Sequence, residues 1–373
     1  MRGDAIQVRF AGRRAVGSLA DRAEGLARYF PGDLDPTFEF RAGPGAAGAW
    51  NAFRETLEAS RSHDVVWLLS QHPARLVAAR IGQFLFGTPF IVDTGDLLEE
   101  SERTAGRGSV RCLSVRLVER ASVRWPDAVV VRGSRHVELL ERWGVRGAVL
   151  IPDGVDCGAF VGGDRDGVRR AIGAGTSAVV GVVSTIGWEP RLGLPSPGWD
   201  VVECLARLPD LDLVGLIVGD GPGLARLQSL AAQRGVADRM RFVGRQSFAA
   251  LPGYLAAMDV FLHTALNNPM SQVRTTGKLP LLLAAGRAAV VSRVGEAARV
   301  LEGTGMLLDF DGTPEQYAVR LAERVRALVA ARAFDGWKET GPAIARREFD
   351  YALLSGRAEA LVRRLAAARP RRR

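Results

Sequence analysis

The residues best suited to chemistry lie between Ser271 and Lys278, reading Ser-Gln-Val-Arg-Thr-Thr-Gly-Lys. Lys278 is one of only two lysines, the other being Lys338. It falls where a helix is expected to begin, after a loop rich in donors: Ser271, Gln272, Arg274, Thr275 and Thr276. Amides of Thr276, Gly277 and Lys278 could meet a diphosphate, with Arg274 or Lys278 supplying charge. The plainer alternative is a helix-capping loop with exposed cations. A second cluster, Gly219-Asp220-Gly221-Pro222, follows the apolar run Leu213–Val218. In a doubly wound sheet the C-terminal strand edge faces the ligand crevice, so this tight turn belongs beside a ligand, unless its glycines serve turn geometry alone. Asp93-Thr94-Gly95-Asp96 also follows a strand-like run, and Asp96 is a candidate hydroxyl ligand or general base. His72, in Gln71-His72-Pro73, is a further candidate base, although a histidine at a helix start commonly caps or packs.

Such groups need strand ends to hold them, and the chain supplies these in series. Strands are expected at Ile6–Phe10, Thr37–Phe40, Val65–Leu69, Phe90–Val92, Ala128–Val131 and Ala148–Ile151, with helical patterns between them. The cycle restarts at Ala178–Val183 and continues through Leu213–Val218, Met240–Val243, Val260–Leu262, Ala289–Val291 and Met306–Leu308. Alternation of this kind predicts an α/β class with two Rossmann-like doubly wound domains. The turn-rich join Pro152-Asp153-Gly154-Val155-Asp156 places them at 1–152 and 153–343, with a C-terminal helical segment over 344–373.

The 373 residues suit two domains of ordinary size. Lys and Arg number 50 against 41 Asp and Glu, a formal charge of +9 carried almost wholly by Arg. Most of that Arg reads as solvated helix surface, and the remainder favours an anionic partner. No recognised motif or interleaved aromatic stripe points to nucleic acid, which is excluded as a partner. Cys112, Cys157 and Cys204 lack metal-type spacing. The start MRGDAIQVRF lacks the apolar core of a signal peptide and no run approaches a membrane span, so a cytoplasmic location is expected.

Taken together, Ile151–Asp156 (IPDGVD), Gly219–Pro222 (GDGP) and Lys278–Val291 (KLPLLLAAGRAAVV) resemble the GT-B glycosyltransferases of the family 4 type, with Val129–Val131 and Ser134 supporting the match. The resemblance covers nearly the whole chain, strongly from about 128 to 305. It implies two domains facing across a cleft, the second binding the nucleotide and the first the acceptor, with the C-terminal helix packed back on the first. The activity implied is transfer of a sugar from a nucleotide diphosphate-sugar to an acceptor hydroxyl. No cofactor and no metal is implied, the nucleotide-sugar being the donor substrate. A small molecule, a glycolipid or a polysaccharide is the implied acceptor, and a peripheral membrane contact through the Arg-rich surface or tail is a further partner to test. By the same resemblance Gly219, Asp220 and Gly221 lie beside the nucleotide, Gly244 and Arg245 meet the base, Arg191 supplies a phosphate-binding cation, and Gly17 and Ser18 open a loop facing donor and acceptor.

Three positions depart from the pattern, one of them near Gly95, where the family frequently has a His. The family's paired glutamates, with seven residues between them, align with Val273 and Leu281. Neither side chain accepts a hydrogen bond. Retention at the anomeric carbon is what the resemblance implies, but Ser184-Thr185 to Trp188 and Leu262-His263-Thr264 are similar to inverting β-mannosyltransferases, so stereochemistry stays open, with His72, His263 or Asp96 as the base in an inverting reaction. The alternatives are a GT-B sugar-nucleotide epimerase and a catalytically degenerate partner subunit.

Overall fold

The computed structural model describes residues 5–12, 18–40, 43–160, 162–188 and 195–368. Two compact units divide the chain. Unit 1 comprises Met1–Gly154, Gln272–Thr275 and Phe349–Arg373; unit 2 comprises Val155–Ser271 and Thr276–Glu348.

Unit 1 is a six-stranded parallel sheet of β1 (Ile6–Ala11), β2 (Leu34–Glu39), β3 (Val65–Leu68), β4 (Phe90–Thr94), β5 (Ala128–Val131) and β6 (Val149–Leu150), in the order β2-β1-β3-β4-β5-β6. Alternation along the strands supplies both of its faces. Val8, Phe10, Val65 and Trp67 point into one core, shared with Leu354, Ala358, Leu361 and Val362 of the helix Tyr351–Ala368. Ala11, Val66 and Leu68 point into the other, with Leu76 and Ala79 of the helix Pro73–Phe86. Ser355 Oγ donates to the Leu26 carbonyl at 2.5 Å, tying the late helix to the early one Ser18–Ala27.

Unit 2 is a second parallel sheet, of β7 (Ala178–Val183), β8 (Leu213–Val218), β9 (Met240–Phe242), β10 (Val260–His263), β11 (Ala288–Ser292) and β12 (Leu307–Leu308). Its order is β12-β11-β10-β7-β8-β9, so β7 sits between β8 and β10 and the winding reverses there. Crevices for ligands form at the carboxyl ends of the strands flanking such a reversal. The core gathers Val180, Val182, Ile217 and Leu262 with Val201, Val202 and Leu205 of the helix Trp199–Arg207 and Tyr317, Leu321 and Val325 of the helix Pro314–Ala330.

The expected continuous second domain is interrupted. Residues 272–275 belong to unit 1, because Thr275 donates from both N and Oγ1 to the Arg132 carbonyl (3.2 and 2.5 Å) and Gln272 accepts from Arg135. The late segment also splits: Thr340–Glu348 lies in unit 2 and the return to unit 1 begins at Phe349. No helix among the described residues is long and apolar enough to cross a membrane.

Candidate functional site

In unit 2 the residues singled out in sequence gather at the reversal point. Ser184 follows β7, His263 closes β10, and the loop from Thr276 delivers Lys278 at the first turn of the helix Lys278–Ala284. Lys278 Nζ donates to Ser184 Oγ at 3.1 Å. Thr276 Oγ1 and His263 Nε2 are 3.0 Å apart. Burial, reinforced by the Lys278 charge, pushes the His263 pKa down to about 3, so the ring is neutral at physiological pH and a poor candidate for the base. His263 Nδ1 is buried and meets no hydrogen-bond partner among the described residues.

Asp200 lies beneath this group, in the first turn of the helix Trp199–Arg207, and only 2% of it is exposed. Burial raises its pKa, opposed by a Thr264 hydrogen bond and the Lys278 charge. Thr264 reaches on to the Tyr317 hydroxyl at 3.5 Å. Sequence reading missed Asp200, whose one signal is an acid in the first turn of a helix after a Pro- and Gly-rich loop. The arrangement is a half-buried ammonium with hydroxyls around it and a carboxylate below. Such a group can hold a polyanion in place of solvent.

The Gly219–Pro222 turn plays a more structural part than expected. Gly219 has φ +144° and Gly221 φ +153°, and a Cβ on them would come to 1.8 Å from the Ser184 carbonyl oxygen and 2.4 Å from that of Ile186. Only glycine lets this turn lie against the loop carrying Ser184. The Gly219 amide donates to the Gly244 carbonyl (2.8 Å) and the Gly221 amide to Asp220 Oδ1 (2.7 Å), so both are already used. Gly244 thus enters as an acceptor for the turn. Arg245 and Gly277 are exposed. Arg191 and Gly17 lie outside the described residues, as does the side chain of Ser18, which opens the helix Ser18–Ala27.

Arg274 is corrected. Expected beside Lys278, it belongs to unit 1, where its NH1 donates to Asp96 Oδ1 at 2.9 Å. Asp96 is exposed at the carboxyl end of β4 and so is spoken for by a guanidinium. His72 is half-buried at the start of the helix Pro73–Phe86, and its carbonyl accepts the Leu76 amide.

Below Asp96, unit 1 holds a buried ion network that sequence reading also missed. Arg22 Nε and Arg132 Nε reach opposite oxygens of Asp93 at 2.9 and 3.3 Å, and Trp67 Nε1 adds a contact at 3.4 Å. Arg22 also donates to the Ile151 and Pro152 carbonyls, both at 2.7 Å. Burial works against the Arg132 charge, but Asp153, Asp93 and Asp96 outweigh it and raise the guanidinium above its ordinary value. Nearby His136, 1% exposed, is pushed down to about 4 by burial; Asp96 acts the other way and Arg132 adds to the depression.

Residues 199–329 match the family model of glycosyl transferases group 1. Over 93 residues the chain is 39% identical to a putative colanic acid biosynthesis glycosyl transferase of Escherichia coli, covering 25% of this chain and 22% of that one. It is 28% identical over 235 residues to the D-inositol 3-phosphate glycosyltransferase of Geodermatophilus obscurus, covering 57% and 49%. The alignments therefore span at most about half the length of these relatives. Among solved structures, Anabaena Alr3699/HepE in complex with UDP and glucose superposes with a TM-score of 0.73 at 18% identity, covering 96% of this chain and 99% of that one. The sucrose-phosphate synthase of Thermosynechococcus elongatus gives 0.74 at 17%, covering 97% and 100%. The chain has the GT-B fold of those structures, and its segment 199–329 matches the glycosyl transferases group 1. The matched stretch of this GT-B chain contains Asp200, the Gly219–Pro222 turn, His263 and Lys278, so the family segment and the polar cluster at the reversal point are the same part of unit 2.

Proposed function

We propose that this protein transfers a sugar from a nucleoside diphosphate-sugar to an acceptor hydroxyl, the diphosphate being held in unit 2. The observation that carries this reading is the Lys278 ammonium, seated on Ser184 where the sheet reverses. A leaving diphosphate gains negative charge as the glycosidic bond breaks, and a fixed cation stabilises that charge more than it stabilises the intact donor. Thr276 adds a hydroxyl, Ser184 seats the ammonium by accepting from it, and Lys278 supplies the neutralising charge with no metal in this reading. Gly219, Asp220, Gly221, Gly244 and Arg245 border the nucleotide, while Asp96 and His72 remain the candidates for the acceptor side. Complexes of similar folds with UDP and with UDP-glucose support a uridine nucleotide as the first donor to test.

Retention is proposed for the anomeric centre, on the family resemblance. Valine at 273 and leucine at 281 favour the second reading, a nucleotide-free partner subunit. Heat stabilisation by a panel of nucleotide-sugars separates the two: a saturable shift supports the transferase, and no shift with any donor supports the partner. NMR of the product anomer then fixes the stereochemistry. For the acceptor we propose a molecule presented at an anionic membrane surface. The helix Ser109–Arg124 exposes Val110, Leu113 and Leu117 at 84%, 55% and 64% on one stripe, and it bears Arg111, Arg116, Arg120 and Arg124 against a single, buried Glu119.

A further inference from the structure

Unit 2 holds a cavity of about 470 Å³ whose lining includes neither Lys278 nor Ser184. It opens between the helices Trp199–Arg207 and Leu224–Gln233, with Pro314 at one end. Trp199, Leu227 and Leu230 give it an apolar floor. Ser196 is 4% exposed and lines the cavity, and its Oγ has no hydrogen-bond partner among the described residues. A buried hydroxyl without a partner costs free energy that a ligand's polar group can restore.

Of the two guanidinium groups on the wall, Arg234 shares the Glu203 carboxylate with Arg207, at 2.8 Å from Arg234, and the other wall carboxylate, Glu315, is exposed. The second guanidinium, Arg226, lies 5.5 Å over the Trp188 ring, and no carboxylate among the described residues is within ion-pair distance of it. Its charge is therefore available. Cavities of this size with an apolar floor and a few convergent polar groups are typical of small-molecule sites.

We propose that this cavity binds a small organic anion, an apolar or aromatic body capped by a single phosphate or carboxylate. The body lies on Trp199 and Leu230, and the anionic cap takes Arg226 and the Ser196 hydroxyl. The residues it uses are not those proposed for the diphosphate, and it does not depend on that reading.

Phenyl phosphate is the probe, titrated into the full chain by calorimetry. Saturable binding is expected, about tenfold tighter than inorganic phosphate or phenol alone, since each of those carries only half of the recognition. Arg226→Ala, a surface change that leaves folding intact, and Ser196→Ala should each weaken it about tenfold. Lys278→Ala and saturating UDP should leave it unchanged. Displacement by UDP, loss in Lys278→Ala, equal affinity for inorganic phosphate, or indifference to Arg226→Ala would each overturn the assignment.

Discussion

The two units carry the same kind of sheet and use its carboxyl edge in opposite ways. In unit 1 the charges there face each other: Asp93 is wholly buried between Arg22 and Arg132, and even the exposed Asp96 is paired with Arg274. In unit 2 the corresponding edge presents a half-buried ammonium resting on a hydroxyl, with its carboxylate set back in the core. A carboxylate clamped between guanidinium groups fixes a loop; an ammonium seated on a hydroxyl can meet an anionic ligand. The surfaces differ too. Large apolar side chains stand exposed at Trp50, Phe84, Leu85, Val110, Leu113 and Leu117 of unit 1, while unit 2 exposes Trp188, Phe248 and Val319.

The largest effect should come from cutting the network in unit 1. Asp93→Ala leaves two guanidinium groups, one of them 1% exposed, with the more distant Asp153 as their shared ion partner, and should cost about 3 kcal/mol of unfolding free energy in urea. A loss below about 1 kcal/mol would mean that the network does not fix that edge.

Acidification comes next. His136 titrates near 6.5 when unfolded and about 4 when folded, so the native state holds it neutral and the unfolded state binds the extra proton. Stability from this residue is complete above pH 6.5 and declines as pH falls toward 4, by on the order of 3 kcal/mol. Urea midpoints measured across that range should show the decline, and His136→Asn should flatten part of it. His263 adds a similar slope in unit 2 that continues lower, toward pH 3.

Lys278→Ala sharpens the contrast between fixing and binding. UDP affinity should fall about 10- to 100-fold while unfolding free energy moves by less than about 1 kcal/mol. Unchanged UDP affinity removes the diphosphate assignment. Smallest in energy is Leu113→Asp with Leu117→Asp on the exposed stripe. Stability should stay within about 0.5 kcal/mol, yet flotation with phosphatidylglycerol vesicles should drop several-fold. Equal flotation by the variant rejects the membrane face.

Much of the architecture was legible because parallel strands buried on both faces are written as short unbroken apolar runs. Val65–Leu68, Ala128–Val131, Ala178–Val183 and Leu213–Val218 all lie where such runs predict them. The cluster around Lys278 was legible for a related reason, since helix starts and strand ends are local signals. What stayed hidden is non-local. Arg22 meets Asp93 across 71 residues and the Ile151 carbonyl across 129, and nothing near Arg22 in sequence marks it as buried. Arg274 sits four residues before Lys278, yet its hydrogen bonds assign it to the other unit. The roles of Gly219 and Gly221 were half visible: the need for glycine was plain, but the carbonyls of Ser184 and Ile186 that enforce it were not.

The helix Tyr351–Ala368 has a further consequence, for the order of biosynthesis. It supplies Leu354, Ala358, Leu361 and Val362 to the core beneath Val8, Phe10 and Trp67. Until those residues leave the ribosome, the sheet of the earlier strands is covered on that side by the helix Ser18–Ala27 alone. During that interval unit 2 can fold to completion while the earlier half waits with the rest of that greasy flank in water. A nascent chain stalled before Tyr351 should accordingly engage chaperones through its opening strands, and release should follow only once the late helix docks.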